Sequence, residues 1–451
     1  MIKILPRHKS RSPQIAHGAS ARQVESRLAP WLYVICVLLF ITPDFILPAV
    51  GARRADEFLL LGLLGLLAYL YAQRIPFRVA WGLGQTLMLG YCGVVLTSML
   101  TGALMGYNAS TTDVFQFIRV AKYLLIYTLT VTVVADTGNP DAQRARILKA
   151  IMLGSLLLFP VILQQYFDLF GLNNLYVEYI SKGTQSSALI DVDYDRRALG
   201  FIGNPNALGF LYVIPAIVTL HFMLSAPRFK LRYLGLFALQ VTAILMTLSR
   251  TSLLALTAAT LYLLVTLPAS PLAYGKLRQQ ALGRGFMLLF VLTAAGALVV
   301  SNQVIYDDIL WRFALLQDVA DDYSWQGRLV AWQENWGLFV QSPLLGVGPL
   351  FATEFQYSSD NEWLELLRFH GLLGTLYVVA MFAAPHFLSM RKGGSVALMD
   401  TRRLIEAVLL ATALYMLPAA VFQHLVLMPL VIIIFALGDS TVRVYNVLKQ
   451  A

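Results

Sequence analysis

Charge is scarce in this chain. Only 13% of its 451 residues are Asp, Glu, Lys or Arg, and only six are His. Soluble domains carry about 25% charged residues, so a soluble globular enzyme is excluded. A disordered chain is excluded too, because it needs high charge and few apolar side chains. Cysteine is scarcer still: Cys36 and Cys92 are the two present, which rules out a disulfide scaffold. Both lie in apolar runs without partners at metal-ligand spacing, so they read as inert, buried thiols. No His pair stands at i,i+4 and no Gly-rich phosphate loop follows a strand, so no metal, nucleotide or other cofactor is expected. The net charge is +9, but there is no basic–aromatic surface pattern, so no nucleic-acid partner is expected.

Apolar residues fill the space that charge leaves. They make up 58% of the chain, with a mean hydropathy of +0.67. The apolar runs are continuous rather than alternating, which selects membrane helices over a transmembrane β-barrel. The expected fold class is all-α: a polytopic integral membrane protein embedded in a lipid bilayer, with about twelve spans. They fall near residues 31–50, 57–72, 80–100, 114–135, 147–170, 203–224, 231–248, 251–267, 285–301, 368–389, 402–423 and 425–439. The last two read alternatively as one helix plus a re-entrant piece. About thirty mostly polar residues precede the first span, with no small-residue cleavage site behind a short core, so a cleavable signal peptide is not expected.

Basic residues orient this map. With the tail 1–30 in the cytoplasm, alternation places most of the 34 Lys and Arg inside, among them Arg74, Arg78, Arg144, Lys230, Arg402 and Arg403. Arg53 and Arg54 are the main exceptions. The bias predicts a membrane protein with both termini cytoplasmic. The organisation is then a cytoplasmic tail 1–30, membrane helices over 31–301 with an outer loop 171–202, a large outer loop 302–362, helices over 363–439 and a cytoplasmic tail 440–451. Loops longer than about 12–15 residues are commonly functional. Within 302–362, Trp332, Trp336 and Phe339 recur at helical spacing, predicting an amphipathic helix over 328–340 at the membrane interface, ended by Pro343.

Ionisable residues at the outer membrane edge are rare and so become candidates. They are Arg119 and Lys122 in the fourth span, Arg250 between the seventh and eighth, Arg196 and Arg197 at the close of the first long loop, and Arg328 and Asp360 in the second. Each has an ordinary structural reading: Arg250 as a snorkelling side chain, Arg196 and Arg197 as partners of Asp191, Asp193 and Asp195, Asp360 as a helix cap, His370 as a packed neutral histidine. The functional reading joins them. Several guanidiniums on one face suit a diphosphate, because Arg binds phosphate bidentately, and one carboxylate beside them suits a general base.

Certain runs are distinctive in order and spacing. Asn204-Pro205-Asn206 comes first, then Ser249-Arg250-Thr251-Ser252, Gly327-Arg328 and Trp332. Ser342-Pro343-Leu344-Leu345-Gly346-Val347-Gly348 follows, then Asp360-Asn361-Glu362-Trp363-Leu364 and Gly371-Leu372-Leu373-Gly374. Across about residues 196–375 they resemble the O-antigen ligase/polymerase family of bacterial envelope glycosyltransferases. The resemblance implies a bundle similar to the lipid-dependent GT-C type glycosyltransferases. It also implies metal-independent, inverting transfer of glycan from undecaprenyl diphosphate on the periplasmic side. By position, Arg196 or Arg197, Arg250 and Arg328 would hold diphosphate and glycan, Asp360 would be the base, and Asn361 would orient it. Asn206, Trp332, Trp336 and Trp363 would contact sugar. Ligases of the family carry His-Asn where this chain has Asp360-Asn361, and often Glu where it has Phe369. Those departures favour a polymerase of O-antigen, capsule or exopolysaccharide repeat units over a ligase to lipid A core. Expected partners are a chain-length-regulating copolymerase and a flippase. A transporter of lipid-linked oligosaccharide or polysaccharide is the reading from another class, although the two halves show no inverted symmetry.

Overall fold

The computed structural model describes residues 28–43, 45–47, 51–53, 55–74, 77–107, 111–179, 189, 197–225, 230–266, 283, 323–350, 360–391, 396–419, 421, 424, 426–439 and 441–447. The helices among them are α1 (Ala29–Ile41), α2 (Ala55–Ala72), α3 (Leu83–Leu104), α4 (Thr111–Ala135), α5 (Pro140–Phe167), α6 (Leu172–Tyr179), α7 (Pro205–Ser225), α8 (Leu231–Met246), α9 (Arg250–Thr266), α10 (Tyr323–Gln341), α11 (Glu362–Arg391), α12 (Val396–Tyr415) and α13 (Leu427–Ala436). Short polar residues start several of them by accepting from the first-turn N–H groups. Asn139 Oδ1 accepts from Ala142 N of α5, Asn204 Oδ1 from Asn206 N and Ala207 N of α7, and Asn361 Oδ1 from Leu364 N of α11.

The chain is an all-α polytopic membrane protein. Among the described residues, five stretches are long and apolar enough to cross a bilayer: α3, Gln116–Ala135 of α4, α5, α7 and Glu362–Leu388 of α11. Each expected span coincides with a helix except 285–301, which lies outside the described residues. The boundaries differ where proline intervenes. The span expected over 31–50 stops at Ile41, because Pro43 and Pro48 cannot continue a helix, and a hairpin of β1 (Phe45–Leu47) and β2 (Gly51–Arg53) follows. α5 begins earlier than expected, at Pro140, where a proline is favoured at the first helical position. α13 has ten residues, which reach about half the hydrocarbon thickness. The amphipathic helix expected over 328–340 is α10. Its buried stripe is Ala331, Asn335 and Leu338, while Trp336 and Val340 are exposed.

Hydropathy does not reveal which helix is central; packing does. The apolar window of α7 is 94% buried against 28% for α3, although their mean hydropathies are 2.0 and 1.7. α7 packs against α5, α8, α9, α12 and α13. The helix ends remote from Asp360 carry the expected cytoplasmic basic residues. There Arg78 pairs with Asp136 at 3.3 Å, and Arg144 Nε donates to Leu437 O at 2.9 Å. A strand β3 (Phe77–Trp81) pairs antiparallel with β4 (Arg443–Val447) at this end.

At the other end the backbone of α11 breaks at Gly371, whose φ/ψ are 62°/−170°. A break in a membrane helix strands polar groups, each costing several kcal/mol in hydrocarbon. Here the loop after α10 meets four of them. Leu372 N donates to Pro343 O at 2.8 Å and Leu373 N to Leu344 O at 3.2 Å. The two carbonyls that these N–H groups would have used in an unbroken helix accept instead from the loop: Arg368 O from Val347 N at 2.9 Å and Phe369 O from Gly348 N at 3.0 Å. The fit requires glycine on both sides. A Cβ at Gly346 (φ +73°) would lie 2.3 Å from Phe369 O, and one at Gly371 2.3 Å from the Leu344 carbonyl carbon.

Gly346→Ala should therefore lower stability by at least about 2 kcal/mol, from the strained φ and the backbone clash together. Gly235→Ala, in α8 with nothing within 4 Å of its Cβ position, should be neutral or slightly stabilising. Thermal unfolding of the two purified variants in one detergent checks both.

Candidate functional site

The end of the bundle that carries the loop–break contact also collects the candidate residues. Arg328, near the start of α10, and Asp360, just ahead of α11, form an ion pair with Nε–Oδ2 3.4 Å. Among the described residues no other partner touches the Arg328 guanidinium, so its terminal nitrogens remain available to a ligand. Asp360 adopts a left-handed backbone, φ +47°. Such a conformation costs a non-glycine residue about 1 kcal/mol or more and is commonest at functional sites.

Arg197 approaches from the loop ahead of α7. Its Nε donates to Thr247 O at 2.8 Å and its Nη2 to Asn206 Oδ1 at 2.9 Å. Arg250 opens α9 directly after the Thr247–Ser249 turn. Inside that turn Ser249 Oγ lies 2.9 Å from Ser252 Oγ, and Ser252 Oγ donates to Asn206 O at 3.4 Å. The motifs Asn204-Pro205-Asn206 and Ser249-Arg250-Thr251-Ser252 thus form one packed unit that presents two arginines. Arg196 lies outside the described residues. So do Asp191, Asp193 and Asp195, whose Asp-x-Asp spacing is common in metal sites, so the expectation of no metal is not tested in that loop.

Other sequence candidates divide. Asn361 is the N-cap of α11, with its Oδ1 on Leu364 N at 3.0 Å, so in this structure its carbonyl oxygen serves the helix. The Trp363 indole N–H donates to Ala413 O at 3.1 Å, fixing α11 to the end of α12. Arg328, Trp332 and Trp336 follow one another at four-residue intervals on one stripe of α10. Trp336 is 53% exposed, and its ring centroid lies 5.1 Å from that of Phe339. Asn206 supports Arg197. Arg119 and Lys122 lie within α4, with Lys122 buried. His370 is the packed histidine expected. Its Nε2 meets Tyr91 Oη at 2.6 Å and its Nδ1 meets Ser98 Oγ at 3.1 Å, both on α3.

Two further residues support the site, and one of them, Gln165, escaped the sequence reading. Gln165, fully buried near the end of α5, accepts from Leu199 N and Gly200 N at 3.0 and 2.8 Å through Oε1, and donates to Gly200 O at 3.2 Å through Nε2. It latches the loop that carries Arg197. A Gln-Gln pair inside an apolar run was the available signal. Glu362, also fully buried, accepts from Val421 N at 2.6 Å, while its own N–H donates to Met416 O at 3.0 Å. It ties the start of α11 to the turn after α12.

The fold defines a polytopic helical membrane protein with a cation-rich site at one end of its bundle. Residues 234–379 match the family model described as O-Antigen ligase, which agrees with the resemblance to the O-antigen ligase/polymerase family read from the motifs. The matched stretch carries Arg250, Arg328 and Asp360, and leaves out Arg197 and Asn206. No curated protein matches the chain.

Asn361→Ala should cost about 1 kcal/mol through loss of the cap. Asn361→Ser, which keeps a capping oxygen, should recover most of it. Unfolding midpoints of the two variants measure this, and transfer assays on the same samples separate capping from any role in the reaction: a chemical role would leave Asn361→Ser stable but inactive.

Proposed function

We propose that this protein is a membrane glycosyltransferase that polymerises undecaprenyl-diphosphate-linked repeat units at the periplasmic face of the inner membrane. The family match supports O-antigen ligase/polymerase-type function and implies a lipid-linked glycan as substrate. The observation that carries the reading is the Arg328–Asp360 pair, with Arg197 and Arg250 presented at the same end of the bundle.

In this reading the growing glycan enters on its lipid diphosphate, which Arg197, Arg250 and Arg328 hold. Arg328 keeps Nε towards Asp360 and offers its terminal nitrogens to phosphate. Asp360 accepts the proton of a sugar hydroxyl on the incoming lipid-linked unit. That oxygen attacks the anomeric carbon of the growing chain, whose bond to the diphosphate oxygen breaks. The arginines neutralise the charge that develops on the leaving diphosphate, a preorganised electrostatic contribution of several kcal/mol in a water-poor site. An aspartate in place of the ligases' histidine favours polymerase over ligase. A copolymerase and a flippase would act beside it.

Asp360→Ala and Arg328→Ala should each reduce transfer by at least about a hundredfold while the protein still accumulates in the membrane. Glycan length on gels from deletion cells complemented with each variant provides the check. Single repeat units left on lipid identify a polymerase. Full-length polymer accumulating on undecaprenyl diphosphate identifies a ligase and overturns the preference.

A further inference from the structure

Tyr415 is the last residue of α12 and is 1% exposed. Its ring stacks on Phe210 of α7, with centroids 4.2 Å apart and planes 21° apart. Three contacts place this spot beside the site. Phe210 stands one helical turn beyond Asn206, which holds Arg197. The next residue along from Tyr415, Met416, gives its carbonyl to Glu362 N, two residues from Asp360. Ala413, two residues before, gives its carbonyl to the Trp363 indole. Tyr415 accordingly feels the charge of both Asp360 and Arg197.

Several other buried tyrosines of this bundle use their hydroxyls, although Tyr233, 7% exposed, has no hydroxyl partner among the described residues. Tyr127 donates to Asp439 Oδ2 at 2.8 Å, Tyr212 donates to Ser155 O at 2.8 Å, and Tyr91 meets His370 Nε2 at 2.6 Å. The Tyr415 hydroxyl makes no hydrogen bond among the described residues, yet its oxygen is not among the sealed polar atoms. A buried phenol normally finds a partner, and the Tyr415 ring is held by its stack on Phe210 while its hydroxyl is left without one among the described residues.

We propose that the Tyr415 hydroxyl is a ligand-binding donor of the same site, hydrogen-bonding a non-bridging phosphate oxygen of the lipid diphosphate held by Arg197. This rests on the functional reading above. A phenol adds a donor without adding charge, so it can stand close to both Asp360 and Arg197 at little electrostatic cost. Phosphate is the acceptor that the neighbouring guanidinium would bring within reach.

Tyr415→Phe removes the oxygen and keeps the stacked ring. The test titrates farnesyl diphosphate, and farnesyl monophosphate as the control, into the detergent-solubilised full-length protein. Wild type should bind the diphosphate more tightly. Tyr415→Phe should bind it about tenfold to a hundredfold more weakly, the range for losing a hydrogen bond to a charged acceptor, with an unliganded Tm equal to wild type or higher. If Tyr415→Phe binds like wild type, the hydroxyl is not a ligand donor, although the diphosphate reading stands. If its unliganded Tm falls, the hydroxyl is structural and the proposal fails. If wild type shows no preference for the diphosphate, the functional reading fails and takes this inference with it.

Discussion

Four backbone hydrogen bonds between the break in α11 and the loop Pro343–Gly348 hold the candidate site in place. A membrane helix can break only where something else meets its stranded polar groups. In this protein the broken helix and the loop exchange two donors for two acceptors, so neither is complete alone. The exchange brings the loop's backbone against α11, and the two glycines are where that approach is closest. It fixes where α10 ends and where the upper part of α11 points. α10 carries Arg328, and Asp360 stands just ahead of α11.

The remaining cations reach the same end by separate means. Arg197 depends on a loop latched by the Gln165 amide and on acceptors from Thr247 and Asn206. The Thr247–Ser252 turn packs against the start of α7, and Arg250 leaves from that turn. Glu362 and Trp363 then join α11 to the end of α12. Buried polar side chains are expensive in such a bundle, and here each of these meets backbone groups that a loop or helix end leaves open. Polar residues in the apolar stretches are the joints at which helix ends are registered, and the site is assembled from those joints. Arg328 is a different kind of member, because most of its hydrogen-bonding capacity is unspent among the described residues.

The membrane class, the positions of most helices and the amphipathic helix α10 were all legible in the amino-acid order. They depend on local quantities: apolar run length, helical periodicity, and the cost of placing charge in hydrocarbon. The motifs around Ser249–Ser252, Gly346–Gly348 and Gly371–Gly374 were legible as motifs, but their purpose was not. Gly346 and Gly371 serve each other's segments across space, and no local rule links them. The roles of Asn361 as a cap, Gln165 as a latch and Tyr415 as a buried phenol beside two charges were hidden for the same reason. The centrality of α7 was hidden too, because lipid and protein interior are both apolar and hydropathy does not distinguish them.

Sequence alone determined that this protein lives in a membrane, and which few charges beside its apolar stretches are costly enough to need a reason. Tertiary structure decided which of those charges meet. Arg328 faces Asp360 because a helix break and a distant loop complete each other's hydrogen bonds, while Arg197 is aimed separately by Asn206 and Thr247. That pairing is a property of two surfaces fitting, and it does not exist in either segment until both are folded.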